Sequence, residues 1–108
     1  MGKSQRDKGA RVERECAHFL APRYPNARRS ANQAGGAVLP DIMRTPYWVE
    51  CKGGKSIGLW AALKQAMDDR EAADDSRPIL LYLKRDRTPP VIVMLASEWM
   101  EDAMRGWK

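Results

Sequence analysis

The sequence predicts an α/β domain in which helices pack on one β-sheet, with elements in the order helix, three strands, helix, two strands, helix. Three observations carry this. Two long segments repeat apolar residues at helical spacing, two apolar runs are bounded by prolines, and 108 residues suffice for one core but not two. From Asp7 to Leu20, the apolar residues Val12, Cys16, Phe19 and Leu20 recur at helical intervals, and Pro22 and Pro25 close the segment. Ala27 to Ser30 can form a short strand, and "NQAGGA", Asn32 to Ala37, reads as a loop around its two glycines. Asp41–Met43, the turn "RTP" and Tyr47–Lys52 form a hairpin rich in strand formers.

"GGKSIG" leads into a second helix, where Leu59, Ala62, Leu63, Ala66 and Met67 share a face, ending near Asp75. "PILLYL" and "PVIVML" read as buried strands joined by the basic turn "KRDRTP". Ser97 stands as N-cap of a last helix with Glu98 in its first turn and Gly106 near its end. No repeat or linker divides the chain, so a single domain over residues 1–108 is expected.

Lys and Arg number 19 against 14 Asp and Glu, a formal charge of +5. That balance favours a polyanionic partner and makes nucleic acid a candidate. No run approaches the roughly 20 apolar residues of a spanning helix, and the basic residues do not oppose a long apolar face, so no membrane partner is expected. The polar start "MGKSQRDKGARVERE" lacks an apolar signal region and predicts a cytoplasmic location. Cys16 and Cys51 sit in apolar patterns without zinc spacing and read as buried, reduced thiols.

The chemistry concentrates in "YWVECK". Alternation along a strand puts Trp48, Glu50 and Lys52 on one face and Val49 and Cys51 on the other. Val49 and Cys51 are expected to face the core, with the charged pair on the sheet's other face or at its edge, where the hairpin can bring up Asp41. Two carboxylates a few ångströms apart suit Mg²⁺ or Mn²⁺, which keeps several waters and takes one or two protein carboxylates. Taken alone, an E-x-K pair on a strand is more often a solvated surface pair.

Pro40 and Asp41 followed by "ECK" at Glu50–Lys52 resemble the PD-(D/E)xK nuclease superfamily. With "KGARVERE" (Lys8–Glu15) and "ARRSANQAGG" (Ala27–Gly36), residues 8 to 67 resemble the archaeal and phage type Holliday junction resolvases. The resemblance implies a restriction-endonuclease-like mixed sheet flanked by helices. It also implies Asp41, Glu50 and the backbone carbonyl of Cys51 as metal ligands and Lys52 as the catalytic lysine. Glu13 is implied as the acidic residue of the first helix, aiding the metal directly or through water. Lys8, Arg29, Ser30 and Lys55 fall where such a protein meets DNA, and Gln65 is an accessory candidate. The implied cofactor is Mg²⁺ with Mn²⁺ as substitute, the partner branched or double-stranded DNA, and the product of each event a hydrolysed phosphodiester.

Two departures stand out. The loop carries Asn-Gln-Ala-Gly-Gly in place of a Ser-Gly pair, and the Asp41 to Glu50 interval is short, implying a tight hairpin. A viral-type replication-repair, flap or nicking nuclease of the same superfamily, or a non-catalytic DNA-binding module on this fold, fits the same blocks. Trp60, Met67, Trp99, Met100, Met104 and Trp107 are more apolar surface than a small monomer readily hides, and so predict a homodimer. "GGKS" is no phosphate loop, because its required first glycine falls on Val49, and no nucleotide cofactor is expected. His18, the only histidine, belongs to no triad pattern, and "DDREAADD", Asp68–Asp75, lacks the glycine of a calcium loop and reads as a solvated helix end.

Overall fold

The computed structural model describes the backbone of residues 2–30 and 37–106 and the side chains of residues 8–30 and 37–105. The helices are α1 (Gly2–Leu20), α2 (Leu59–Ala72) and α3 (Ala96–Gly106). The strands are β1 (Arg28–Arg29), β2 (Ile42–Met43), β3 (Trp48–Gly54), β4 (Ile79–Arg85) and β5 (Val91–Val93). They form one mixed sheet in the order β1-β2-β3-β4-β5. β3 and β4 run parallel at its centre, and the other three pairings are antiparallel. The helix–strand order is the one the sequence predicts.

The centre of the sheet is buried on both faces, as a parallel pair joined by a crossover helix requires. On one face α1 sets Cys16 and Leu20 against Ile42, Val49, Cys51, Leu80 and Tyr82. On the other, α2 sets Ala62, Leu63 and Ala66 against Trp48, Ile79, Leu81 and Leu83. Period-two alternation along β3 and β4 thus feeds two half-cores at once. α3 anchors at the N-terminal ends of the central strands. Glu98 accepts the Ile79 N–H at 2.9 Å and pairs with Arg70, and Tyr47 donates to Asp102 at 2.8 Å. No helix among the described residues is long and apolar enough to cross a membrane.

Several expectations need correction. Ser97 is not an N-cap: α3 begins one residue earlier, at Ala96, and Glu98 spends its carboxylate on β4 instead. "PVIVML" is not a buried strand. Only Val91–Val93 pair, on the sheet's edge, with Val91 and Ile92 exposed because no element covers them. Phe19 leaves the buried stripe of α1 and lies half exposed against Tyr82, with ring centroids 5.8 Å apart. The charged side of β3 is no open face, since α2 covers it and buries Glu50 with Trp48. The "NQAGGA" loop lies outside the described residues, apart from Ala37.

One glycine sets the distance between α1 and the sheet. A Cβ built on Gly53 would lie 2.6 Å from Val12 Cγ2 and 3.2 Å from the Lys84 carbonyl oxygen, so the helix seats against bare backbone there. Gly53→Ala is therefore expected to lower stability by about 1–3 kcal/mol in urea unfolding, the usual cost of overpacking. Adding Val12→Ala to the same chain should cost less than the sum of the two single changes, because it removes the atom in the way. Strictly additive costs would show that the two residues do not compete for one space.

Candidate active site

The site forms where β2 stops. β2 pairs with β3 through Ile42 opposite Val49, and the Asp41 N–H donates to the Val49 carbonyl at 2.7 Å. Beyond that point comes Pro40, with no N–H to give. Its carbonyl is taken by the Ser30 hydroxyl, and the Cys51 N–H is met by the Asp41 side chain, whose Oδ2 accepts it at 2.8 Å. The carboxylate is thereby fixed beside β3, one residue along from Glu50. In a strand the N–H and C=O of a residue point the same way, so the Cys51 carbonyl faces the same side as Asp41. The Cys51 thiol faces α1, where the neighbouring Cys16 and burial push it up, so it stays protonated as core.

Glu50 reaches the same place from the α2 face. Trp48, two residues back on the same side of β3, donates its indole N–H to Glu50 Oε1 at 3.0 Å, and both side chains are buried. The indole lies under the Arg77 guanidinium at 5.8 Å from the ring centroid. Burial, then the neighbouring Asp41 charge, push the Glu50 carboxyl up to about 8. Burial, opposed by the Cys51 N–H and aided by the charge of Glu13, raises Asp41 as well. Two carboxyls thus share a poorly solvated space and cannot both ionise at low cost without a cation.

These two groups open into a groove of about 1100 Å³ at the C-terminal ends of β3 and β4. α1 contributes Lys8, Arg11 and Glu13 to its wall, β3 and its exit contribute Lys52 and Lys55, and α2 contributes Gln65 and Asp69. The structure therefore gathers Glu13, Asp41, Glu50, Cys51, Lys52, Lys8, Lys55 and Gln65 around one groove. Arg29 and Ser30 do not line it; they stand behind the carboxylates. Arg29 Nε donates to Glu13 Oε1 at 3.0 Å, and Ser30 spends its hydroxyl on the Pro40 carbonyl and its N–H on the Asp41 carbonyl. Their placed roles are to hold Glu13 and the Pro40–Asp41 segment.

Do these groups fit a divalent cation? Among the described residues no three His, Cys, Asp or Glu are grouped closely enough to hold an ion alone. Mg²⁺ does not demand that, since it is commonly held by one or two carboxylates with water completing the shell. Asp41 and Glu50, both raised by burial and proximity, together with the Cys51 carbonyl, are a hard-oxygen set of that kind.

Some groove residues were not singled out in the sequence. Asp69 lies in the stretch read as a solvated helix end, yet it lines the groove and its charge helps raise Glu50. Its signal was the i, i+4 spacing from Gln65. Arg11, Lys84, Asp86 and Arg87 line the groove too, the last three because the parallel register brings the end of β4 beside the end of β3. Trp48 as the donor to Glu50 was readable from the i, i+2 alternation alone. No family model matches the chain, and neither does any curated protein or solved structure.

A pH dependence follows for the metal-free protein. The folded-state value near 8 stands above the ordinary 4.5, so between these pH values the folded chain binds more protons than the unfolded one. This contribution is therefore favourable at low pH and is lost as pH rises from about 4.5 to 8, by at most about 1.4 kcal/mol per pH unit. In EDTA, Glu50→Gln is expected to be more stable than the parent at pH 8.5 and to lose that advantage toward pH 5, read from urea midpoints. A difference that does not vary with pH would remove Glu50 as the titrating group.

Proposed function

We propose that the protein is a Mg²⁺-dependent DNA endonuclease with a restriction-endonuclease-like fold, acting on branched DNA in the manner of a Holliday junction resolvase. The observation that carries this reading is the half-buried Asp41 beside the buried Glu50, next to Lys52 in a groove rimmed by cations. Two neighbouring carboxylates that are poorly solvated ionise together at low cost only when a cation meets them, and a cationic rim attracts a polyanion. The blocks at Lys8–Glu15, Pro40–Asp41 and Glu50–Lys52 carry the nuclease resemblance, and the fold is of the α/β class that it implies.

When bound, the ion supplies charge neutralisation at a phosphoryl oxygen and a more acidic water. Asp41 and Glu50 would hold it, with the Cys51 carbonyl completing the protein's share. Lys52 follows Glu50 by two residues on the same side of β3, so its ammonium reaches the groove where it can orient the attacking water and offset charge growing on the phosphate. Glu13, tethered by Arg29, presents a carboxylate to the same groove and can hold a water. Hydrolysis then inserts water across one P–O bond and leaves a nicked strand.

The dimer belongs to the same proposal. Trp60 is 78% exposed, and Met67, Trp99, Met100 and Met104 are also exposed, on α2 and α3 and away from the groove lining. A second copy covering such side chains outside the groove lining would leave both grooves free for two strands of one branched substrate. Sedimentation at micromolar concentration is expected to show a dimer, and a monomer alone would remove paired cleavage from the reading.

Incubation of four-way junction, flap and linear duplex tests the activity. Nicking is expected in Mg²⁺ and not in EDTA, fastest on the junction. Asp41→Asn, Glu50→Gln and Lys52→Ala should each cut the rate by at least about 100-fold. Parental cleavage by Glu50→Gln, or cleavage of nothing in Mg²⁺ or Mn²⁺ by the parent, would overturn the assignment, the second leaving a DNA-binding module.

A further inference from the structure

We propose that the β4–β5 turn is a second phosphate-binding element, gripping the DNA backbone a few nucleotides from the bond that is cut. It rests on the nuclease reading above and adds residues to which that reading assigns nothing. β3 and β4 are parallel and in register, Lys52 opposite Leu83 and Gly54 opposite Arg85, so the turn leaves the sheet just past the catalytic lysine. At about 3.3 Å per residue, Arg85 stands roughly 7 Å beyond the level of Lys52. It is also on the opposite side of β3 from β1 and β2, so DNA lying across the groove would meet the turn after passing the carboxylates.

The turn is built to hold its shape. The Asp86 N–H donates to the Gly54 carbonyl at 2.8 Å, clamping the turn to the strand that carries Glu50 and Lys52. The Thr88 hydroxyl and N–H both donate to the Arg85 carbonyl, at 2.8 and 3.1 Å. Its one acid, Asp86, is occupied by Lys8 of α1 at 3.6 Å, which ties the two walls together. Arg85 and Arg87 are exposed and have no ion-pair partner among the described residues, and Lys84 and Arg87 line the groove. Exposed arginines in a turn are ordinarily just solvated. Here the backbone holding them is pinned to the catalytic strand, so the ordering cost of gripping a phosphate is small and the charges are left uncompensated.

Phosphate contacts of this kind raise affinity without reading sequence and set its salt dependence. The test uses the full chain carrying Lys52→Ala, so that binding is read without cleavage, and a fluorescent four-way junction titrated at several salt concentrations. Arg85→Ala and Arg87→Gly are added singly and together. Arg87 has a backbone φ of 64°, a left-handed conformation glycine adopts freely, so its replacement by glycine removes the charge without straining the turn.

Each change is expected to reduce the slope of log K against log salt by about 0.9, and the pair by about 1.8. The paired Arg→Lys variant should restore the slope, and Arg105→Ala on α3, at the other end of the strands, should not alter it. A slope unmoved in the double variant, while the parent chain still nicks junctions in Mg²⁺, would overturn this inference and leave the nuclease reading standing. A parent that neither binds nor cleaves DNA would overturn both.

Discussion

A carboxylate standing in for a backbone carbonyl is the constraint on which the rest of the site depends. β2 is two residues long, and Pro40, just before Asp41, has no N–H and gives its carbonyl to Ser30, so the ladder along β3 stops there. Asp41 accepts the Cys51 N–H that would otherwise face the end of the sheet without a partner. That one bond fixes the carboxylate against β3, turns the Cys51 carbonyl toward it and sets Asp41 beside Glu50. Ser30 and Arg29 then secure the arrangement from β1, the first through Pro40 and Asp41 and the second through Glu13.

The same geometry explains why the site is electrostatically strained. α1 and α2 cover the two faces of the central strands and exclude water from the centre, and the groove opens where their cover ends. Glu50 lies at that boundary, satisfied by the Trp48 indole on one side and pressed against Asp41 on the other. A fold that merely needed stability would gain from an apolar residue at position 50. Retaining two carboxyls there, both raised toward the neutral form, makes sense if a cation completes the set. Gly53 contributes by letting α1 approach closely enough to carry Glu13 into the groove.

Much of this was legible in the sequence because it depends on local periodicity. α1, α2 and β3 follow from 3.6- and 2-residue patterns, β4 from an apolar run bounded by proline, and the meeting of Asp41 with Glu50 from one tight hairpin. What was not legible depends on pairings between distant segments. The exposure of β5 follows from its position as the last strand, which "PVIVML" does not encode. Asp69 and the β4–β5 turn join the groove only through the parallel β3–β4 register. Ser97 illustrates a different limit: a good capping residue lies inside the helix, which starts at Ala96, while Glu98 is tied to Ile79 and Arg70.

The central claim is that Asp41 and Glu50 exist to hold a divalent cation. Anomalous scattering from a crystal soaked in Mn²⁺ addresses it directly, because it locates the ion without relying on any substrate. A strong peak in contact with both carboxylates is expected, absent from a crystal of Asp41→Asn soaked in the same way. Strong Mn²⁺ peaks elsewhere with none between these two side chains would contradict it.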